Sequence, residues 1–215
     1  MIDCGCNVPL VTSDGPWDNN FEYGKIEGVL QTGNFGSNGK AQFQAMREKI
    51  GNRPLMCMEF WVGWFDDWGS HHHTGDMAKH VTALDEILSE GHVNIYMFIG
   101  GTNFGFMNGS NYYDELQPDV TSYDYDALLT EDGKITKKYN AFKEVIAKYN
   151  TIPEVKATMD IKRKGYGTLT VKRQTGLFPN LENISTVRES VFPVSMEKIG
   201  QGYGYILYES ELYNE

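Results

Sequence analysis

The chain has 215 residues, 40% hydrophobic and 13% aromatic, which is enough for one substantial core, or for one domain and part of another, and excludes intrinsic disorder. A formal charge of -10 with no block of Lys or Arg repels an extended phosphate backbone and excludes nucleic acid as a partner. No apolar run approaches the roughly 20 residues of a membrane span, and MIDCGCNVPL lacks the basic-then-apolar layout of a signal peptide, so a soluble, cytoplasmic chain without a membrane partner is expected. Cys4, Cys6 and Cys57 form no zinc-site or disulfide spacing and are expected as reduced, mostly buried thiols.

In chain order, the β-branched run 8–12 stops at Ser13-Asp14-Gly15-Pro16, strong turn chemistry, and is predicted as a first strand. Residues 17–39 carry many Gly and Asn without a lasting period and are predicted as a long loop with short pieces of structure. Phe43, Met46 and Ile50 fall at helical spacing ahead of Gly51, which predicts a helix over 40–50. The apolar run from Leu55 predicts a strand buried on both faces, and it ends on a lone carboxylate, Glu59, crowded by Phe60, Trp61, Trp64 and Phe65. An acid among rings is costly unless paired, hydrogen-bonded or protonated. Glu59 is therefore either a functional carboxylate or a structurally satisfied one.

Met77, Val81, Leu84 and Leu88 mark one face of a helix over 77–90, stopped by Gly91. A third strand is predicted over 93–99, leading into Gly100-Gly101-Thr102-Asn103-Phe104-Gly105, and a fourth over 122–126, rich in Tyr and Asp. Tyr139, Phe142, Ile146 and Tyr149 mark the last helix. This βα series requires a parallel sheet with right-handed crossovers, an α/β fold in which chemistry collects at the C-terminal ends of strands. Beyond about 151–154 the character changes. Residues 165–173 and 204–209 alternate as half-exposed strands, so 1–150 is expected as one domain and 151–215 as the start of an antiparallel, sandwich-like β domain.

Four motifs in this order, PLVTSDGPW, PLMCMEFWVGWFDDWG, NIYMFIGGTNFGFMNG and TSYDYDALLTEDG, resemble the second half of a family 35 glycoside hydrolase, the β-galactosidase family, and the tail from Arg188 is similar to the β region that follows the barrel there. The resemblance implies a partial (β/α)8 barrel, about its last four βα units, and retaining hydrolysis of terminal β-linked galactose. It implies that Glu59 is the nucleophile and that Tyr96 hydrogen-bonds and orients it. Trp64 is implied as the ring beside the sugar and Tyr125 as a galactose-hydroxyl contact, with Asn103 and Phe104 as weaker candidates for shaping the pocket. A β-galactoside or galactose is then the partner, with no cofactor and no metal.

The sequence departs from that pattern in one respect. Retaining hydrolysis needs a second carboxyl roughly 5 Å from the first, supplied in the family by a QxENEYG-like motif that this sequence does not contain. Glu22, in NNFEYGKI, mimics its last letters but follows a strand rather than ending one. The chain is expected to be a fragment, inactive alone and prone to self-association through open sheet edges. The alternative is a catalytically dead carbohydrate-binding or structural remnant.

The remaining motifs have plainer explanations. His71-His72-His73 with Asp76 reads as a solvated loop, since consecutive residues cannot all face one ion from a regular element. GGTNFG matches neither dinucleotide nor P-loop patterns. Asp66 and Asp67 read as loop charges or helix-start acids, and Trp17, Trp61 and Trp68 as core.

Overall fold

A computed structural model describes residues 4–154 and 161–213. The chain divides into two compact units, Met1–Met159 and Asp160–Glu215.

The first unit is built on a parallel sheet of four strands in the order β1-β2-β3-β4: β1 Val11–Asp14, β2 Leu30–Phe35, β3 Met56–Trp61 and β4 His92–Tyr96. Register runs Val11 opposite Leu30, Asn34 opposite Glu59 and Trp61 opposite Tyr96. A short helix α1, Asn20–Tyr23, precedes β2; α2, Gly39–Ile50, joins β2 to β3; α3, Met77–Glu90, joins β3 to β4. A two-stranded antiparallel ribbon, β5 Ser110–Tyr113 and β6 Glu115–Pro118, follows, and α4, Lys137–Ile146, closes the unit.

The helices form where the sequence supplies apolar stripes and caps. Asp76 caps α3 by accepting from the Ala78 and Lys79 N–H groups at 2.9 and 3.3 Å, and Thr136 caps α4 through the Tyr139 N–H at 3.2 Å. Phe43 and Met46 of α2, Ala83, Leu84 and Ile87 of α3, and Phe142 and Val145 of α4 bury against Phe35, Cys57 and Phe60 of the sheet. Phe60 stacks on Phe142 with centroids 6.1 Å apart, and Phe35 meets Phe43 edge-on at 5.7 Å. Each such ring contributes about 2–3 kcal/mol by leaving water. The buried face of α3 is rotated from the predicted one: Met77 is exposed, and Ala83 and Ile87 face inward because Gly39 of α2 packs directly against them.

The chain has a parallel α/β sheet of four strands as expected, but not the four predicted. Residues 30–35, predicted as loop, form a strand inside the sheet. Its buried polar side chains are accommodated by specific bonds: Gln31 Nε2 donates to the Phe21 carbonyl at 2.6 Å and Thr32 Oγ1 to that of Thr12 at 2.6 Å. Conversely, residues 122–126 form no strand. Tyr125 and Asp126 have φ of 63° and 48°, a left-handed turn that no strand continues through. The third predicted strand ends at Tyr96 rather than Ile99.

In the second unit, short helical turns at Phe178–Asn180, α5 Leu181–Ile184 and Glu197–Ile199 are the regular elements among the described residues. The strands predicted over 165–173 and 204–209 do not form. Leu169 and Val171 are 80% and 76% exposed, and a strand without a ladder partner leaves its amides to water.

Candidate active site

Glu59 projects from the C-terminal end of β3. Its neighbours Cys57 and Phe60 are buried, whereas Glu59 itself is only half-buried. Trp61, two residues on and therefore on the same face of the strand, donates its Nε1–H to Glu59 Oε2 at 3.1 Å. An indole N–H can only donate, so Glu59 is the acceptor in this bond. The rings extend outward from there. Trp61 lies 6.1 Å from Trp17 and 6.5 Å from Trp64; Trp64 stacks on Phe65 at 4.8 Å and lies 6.2 Å from Tyr125.

Tyr125 ties the cluster together. It is 1% exposed, stacks on Tyr123 at 5.6 Å, and meets Tyr96 edge-on at 5.5 Å. Its hydroxyl is buried with no hydrogen-bond partner among the described residues, an arrangement that costs roughly 1–3 kcal/mol if no ligand satisfies it. Burial pushes its phenol well above the ordinary tyrosine value, and the neighbouring Tyr96 and the Glu59 charge push it further. Glu59, Trp64, Tyr96 and Tyr125 thus share one site. The Tyr96 hydroxyl, however, lies 3.4 Å from that of Tyr123, and the donor on Glu59 is Trp61.

The backbone around Tyr125 is held from three sides. Lys138 of α4, 5% exposed, donates from Nζ to the Val62 carbonyl, the Asp126 carbonyl and Asp126 Oδ2, each at 2.6 Å. Asp126 Oδ2 also accepts from the Gly75 N–H at 2.8 Å. A Cβ on Gly63 would lie 1.8 Å from the Tyr125 carbonyl oxygen, so only glycine lets the end of β3 come this close to the tyrosine segment. Farther out, Glu131 accepts from Ser122 Oγ at 2.5 Å and from the Thr102 hydroxyl.

The profile of "Glycosyl hydrolases family 35" matches residues 2–149. The chain belongs to that family. It is 36% identical to human "Beta-galactosidase-1-like protein 2" over 99% of its own length and 34% of the relative's. It is likewise 36% identical to the "Beta-galactosidase" of Canis lupus familiaris over 97% of its length and 32% of that protein's. Human "Beta-galactosidase" shows 36% identity over 97% of this chain and 31% of its own. The chain spans about a third of the length of the curated relatives it matches.

Among the family 35 candidates, Asn103 is anchored to the 120–121 segment: its Nδ2 donates to the Val120 carbonyl at 3.1 Å and its own N–H to that of Thr121 at 2.7 Å. Phe104 is 76% exposed. Glu22 lies exposed on the four-residue α1. The histidine run is not a merely solvated loop, because Asp66 Oδ2 pairs with His72 Nδ1 at 2.7 Å and Asp66 Oδ1 accepts from the His73 N–H at 2.8 Å. No group of three or more His, Cys, Asp or Glu among the described residues is arranged to hold a metal ion. Trp17 and Trp68 are 42% and 72% exposed rather than core, and of the thiols only Cys57 is buried. Trp61 and Lys138 were missed by sequence reasoning. Trp61 carried a signal, its same-face spacing from Glu59; Lys138 carried none, since a lysine opening a helix ordinarily faces water.

Proposed function

We propose that this chain carries the nucleophile side of a retaining β-galactosidase. The observation that supports the reading best is Glu59, bonded by Trp61, at the C-terminal end of a parallel strand beside Trp64, Tyr96 and Tyr125. Glu59 attacks the anomeric carbon of a terminal β-galactoside while the glycosidic C–O bond breaks and the aglycone oxygen takes a proton. A galactosyl ester of Glu59 results. Water then displaces the ester, and its proton passes to the group that protonated the aglycone, so that two inversions give retention. Trp64 packs on the apolar face of the sugar, and the unpartnered Tyr125 hydroxyl bonds a galactose hydroxyl. Tyr96 fixes the ring cluster above Glu59, and Asn103 and Phe104 border the site on the 100–105 loop.

On this reading residues 1–150 are the C-terminal part of a (β/α)8 barrel and 151–215 the start of the following β domain. The family profile ends at residue 149, while the relatives align over nearly the whole chain, which supports that division. The proton donor comes from residues outside these 215, and the chain alone hydrolyses nothing measurable. The edge strands β1 and β4, each beside an open groove, one lined by Val8 and Leu10 and the other by Leu88, Ile95, Phe98 and Ile146, take up further strands or, failing those, another copy.

The test is nitrophenyl β-galactoside hydrolysis by the chain alone, and after co-expression with a polypeptide carrying the family's upstream ENEYG-type half. We expect no turnover alone, turnover on complementation, and a loss of about 10⁴-fold or more in Glu59→Gln. Turnover in the complemented enzyme that survives Glu59→Gln refutes the reading. No turnover in any combination favours the remnant.

A further inference from the structure

The loop that leaves β3 and the segment that carries Tyr125 are joined by one imidazole. His72 Nδ1 lies 2.7 Å from Asp66 Oδ2, and its Nε2 lies 3.8 Å from Asp124 Oδ1. That same Asp124 Oδ1 accepts the Asp126 N–H at 3.0 Å. The bond closes an Asx turn around Tyr125, whose φ of 63° is a conformation that side-chain-bearing residues adopt only when held there. Other charged groups complete the surroundings. His73 shares Asp66 through Nδ1 at 3.1 Å, Asp126 is paired with Lys138 of α4, and Asp76 caps α3. His80 of α3, whose ring abuts Gly75, is held below the ordinary histidine value first by burial and then by Lys138.

A ring between two carboxylates satisfies both only with protons on both nitrogens. With one proton, the shorter contact keeps it on Nδ1 for Asp66, and the Nε2 lone pair faces Asp124. We infer that His72 is a pH-dependent positioning residue: its imidazolium ties Asp66 to Asp124, and losing the Nε2 proton loosens the turn that sets Tyr125. The Asp66 hydrogen bond holds the His72 ring above the ordinary histidine value despite partial burial, with the charges of Asp66, Asp124 and Asp126 adding to it. The contact is therefore made below the folded-state value of His72 and is broken as pH rises through it. The functional consequence rests on the β-galactosidase reading: sugar binding by Tyr125 weakens on the alkaline limb.

The test labels the chain with 3-fluorotyrosine, assigns residue 125 by its absence in Tyr125→Phe, and follows its fluorine resonance and the His72 ring protons from about pH 5 to pH 9 by NMR. The fluorine shift at 125 is expected to move with the same midpoint as His72. That step disappears in His72→Gln, persists in His73→Gln, and moves to lower pH in Asp66→Asn. A fluorine signal at 125 that stays constant while His72 titrates overturns the inference, and once the resonance is assigned this comparison is read on the unmutated chain. In the complemented enzyme, KM for the nitrophenyl galactoside is expected to rise along the same limb, and not in His72→Gln. Absence of hydrolysis with the fluorine step intact counts against the β-galactosidase reading alone.

Discussion

Replacing Lys138 by methionine keeps the aliphatic stem but removes the ammonium that joins the end of β3 to the tyrosine segment. Three acceptors lose their donor: the carbonyls of Val62 and Asp126 and the Asp126 carboxylate, all at 2.6 Å from a side chain that is 5% exposed. Each bond to a charged donor has a net worth of about 1.5–3 kcal/mol. The ammonium's own burial costs several kcal/mol, which the variant recovers, and breaking one partner of a buried pair leaves a net loss of about 3–5 kcal/mol. The Asp126 side chain is 27% exposed and keeps the Gly75 N–H, so we take about 3 kcal/mol, the lower end. With a urea m-value of about 2 kcal/mol/M, the unfolding midpoint falls by about 1.5 M. All four tryptophans, Trp17, Trp61, Trp64 and Trp68, lie in the first unit, so fluorescence reports its unfolding without interference from the second. Asp126→Asn combined with Lys138→Met is expected to cost less than the sum of the two single changes, because they share one interaction. A midpoint shift below about 0.3 M in Lys138→Met would refute the clamp.

Trp61→Phe keeps a ring against Trp17 and Trp64 but removes the donor on Glu59. We expect kcat of the complemented enzyme to fall about 10–100-fold with a small change in KM, the loss of one hydrogen bond to a charged group; an unchanged kcat refutes its role. Burial pushes the Cys57 thiol up to about 12, so at about pH 8 a disulfide reagent should modify exposed Cys4 in the native chain and reach Cys57 only after unfolding. Mass mapping of the labelled peptides decides this. The loop around Asp66 should be tightest in a window. His72 is raised, so its contribution is complete below its unfolded value and lost as pH climbs through the folded one. Burial alone would raise Asp66, but hydrogen bonds from the His73 N–H and the His72 and His73 rings more than offset it, so its contribution holds above its unfolded value and is lost as pH drops through the folded one. Limited proteolysis within residues 66–76 should therefore accelerate on both sides of the window, and a flat rate across it contradicts the pairing.

What the sequence determined by itself was whatever neighbouring residues decide. The extents of α2 and α3, Gly51 and Gly91 behind them, the apolar approach of β3 to Glu59, and the motifs of family 35 are all local patterns, and all were legible. The tertiary structure alone decided where local preference is outweighed. Residues 30–35 became a strand because flanking strands offered ladders on both sides and Gln31 and Thr32 found carbonyls there. Residues 122–126 became a turn because Lys138, twelve residues on from Asp126, and Gly63, sixty-two residues before Tyr125, fix the backbone from other elements. No helix or strand period links the two ends of such a bond, and a buried ammonium or an L-residue at positive φ is stable only once the acceptors on other elements are in place.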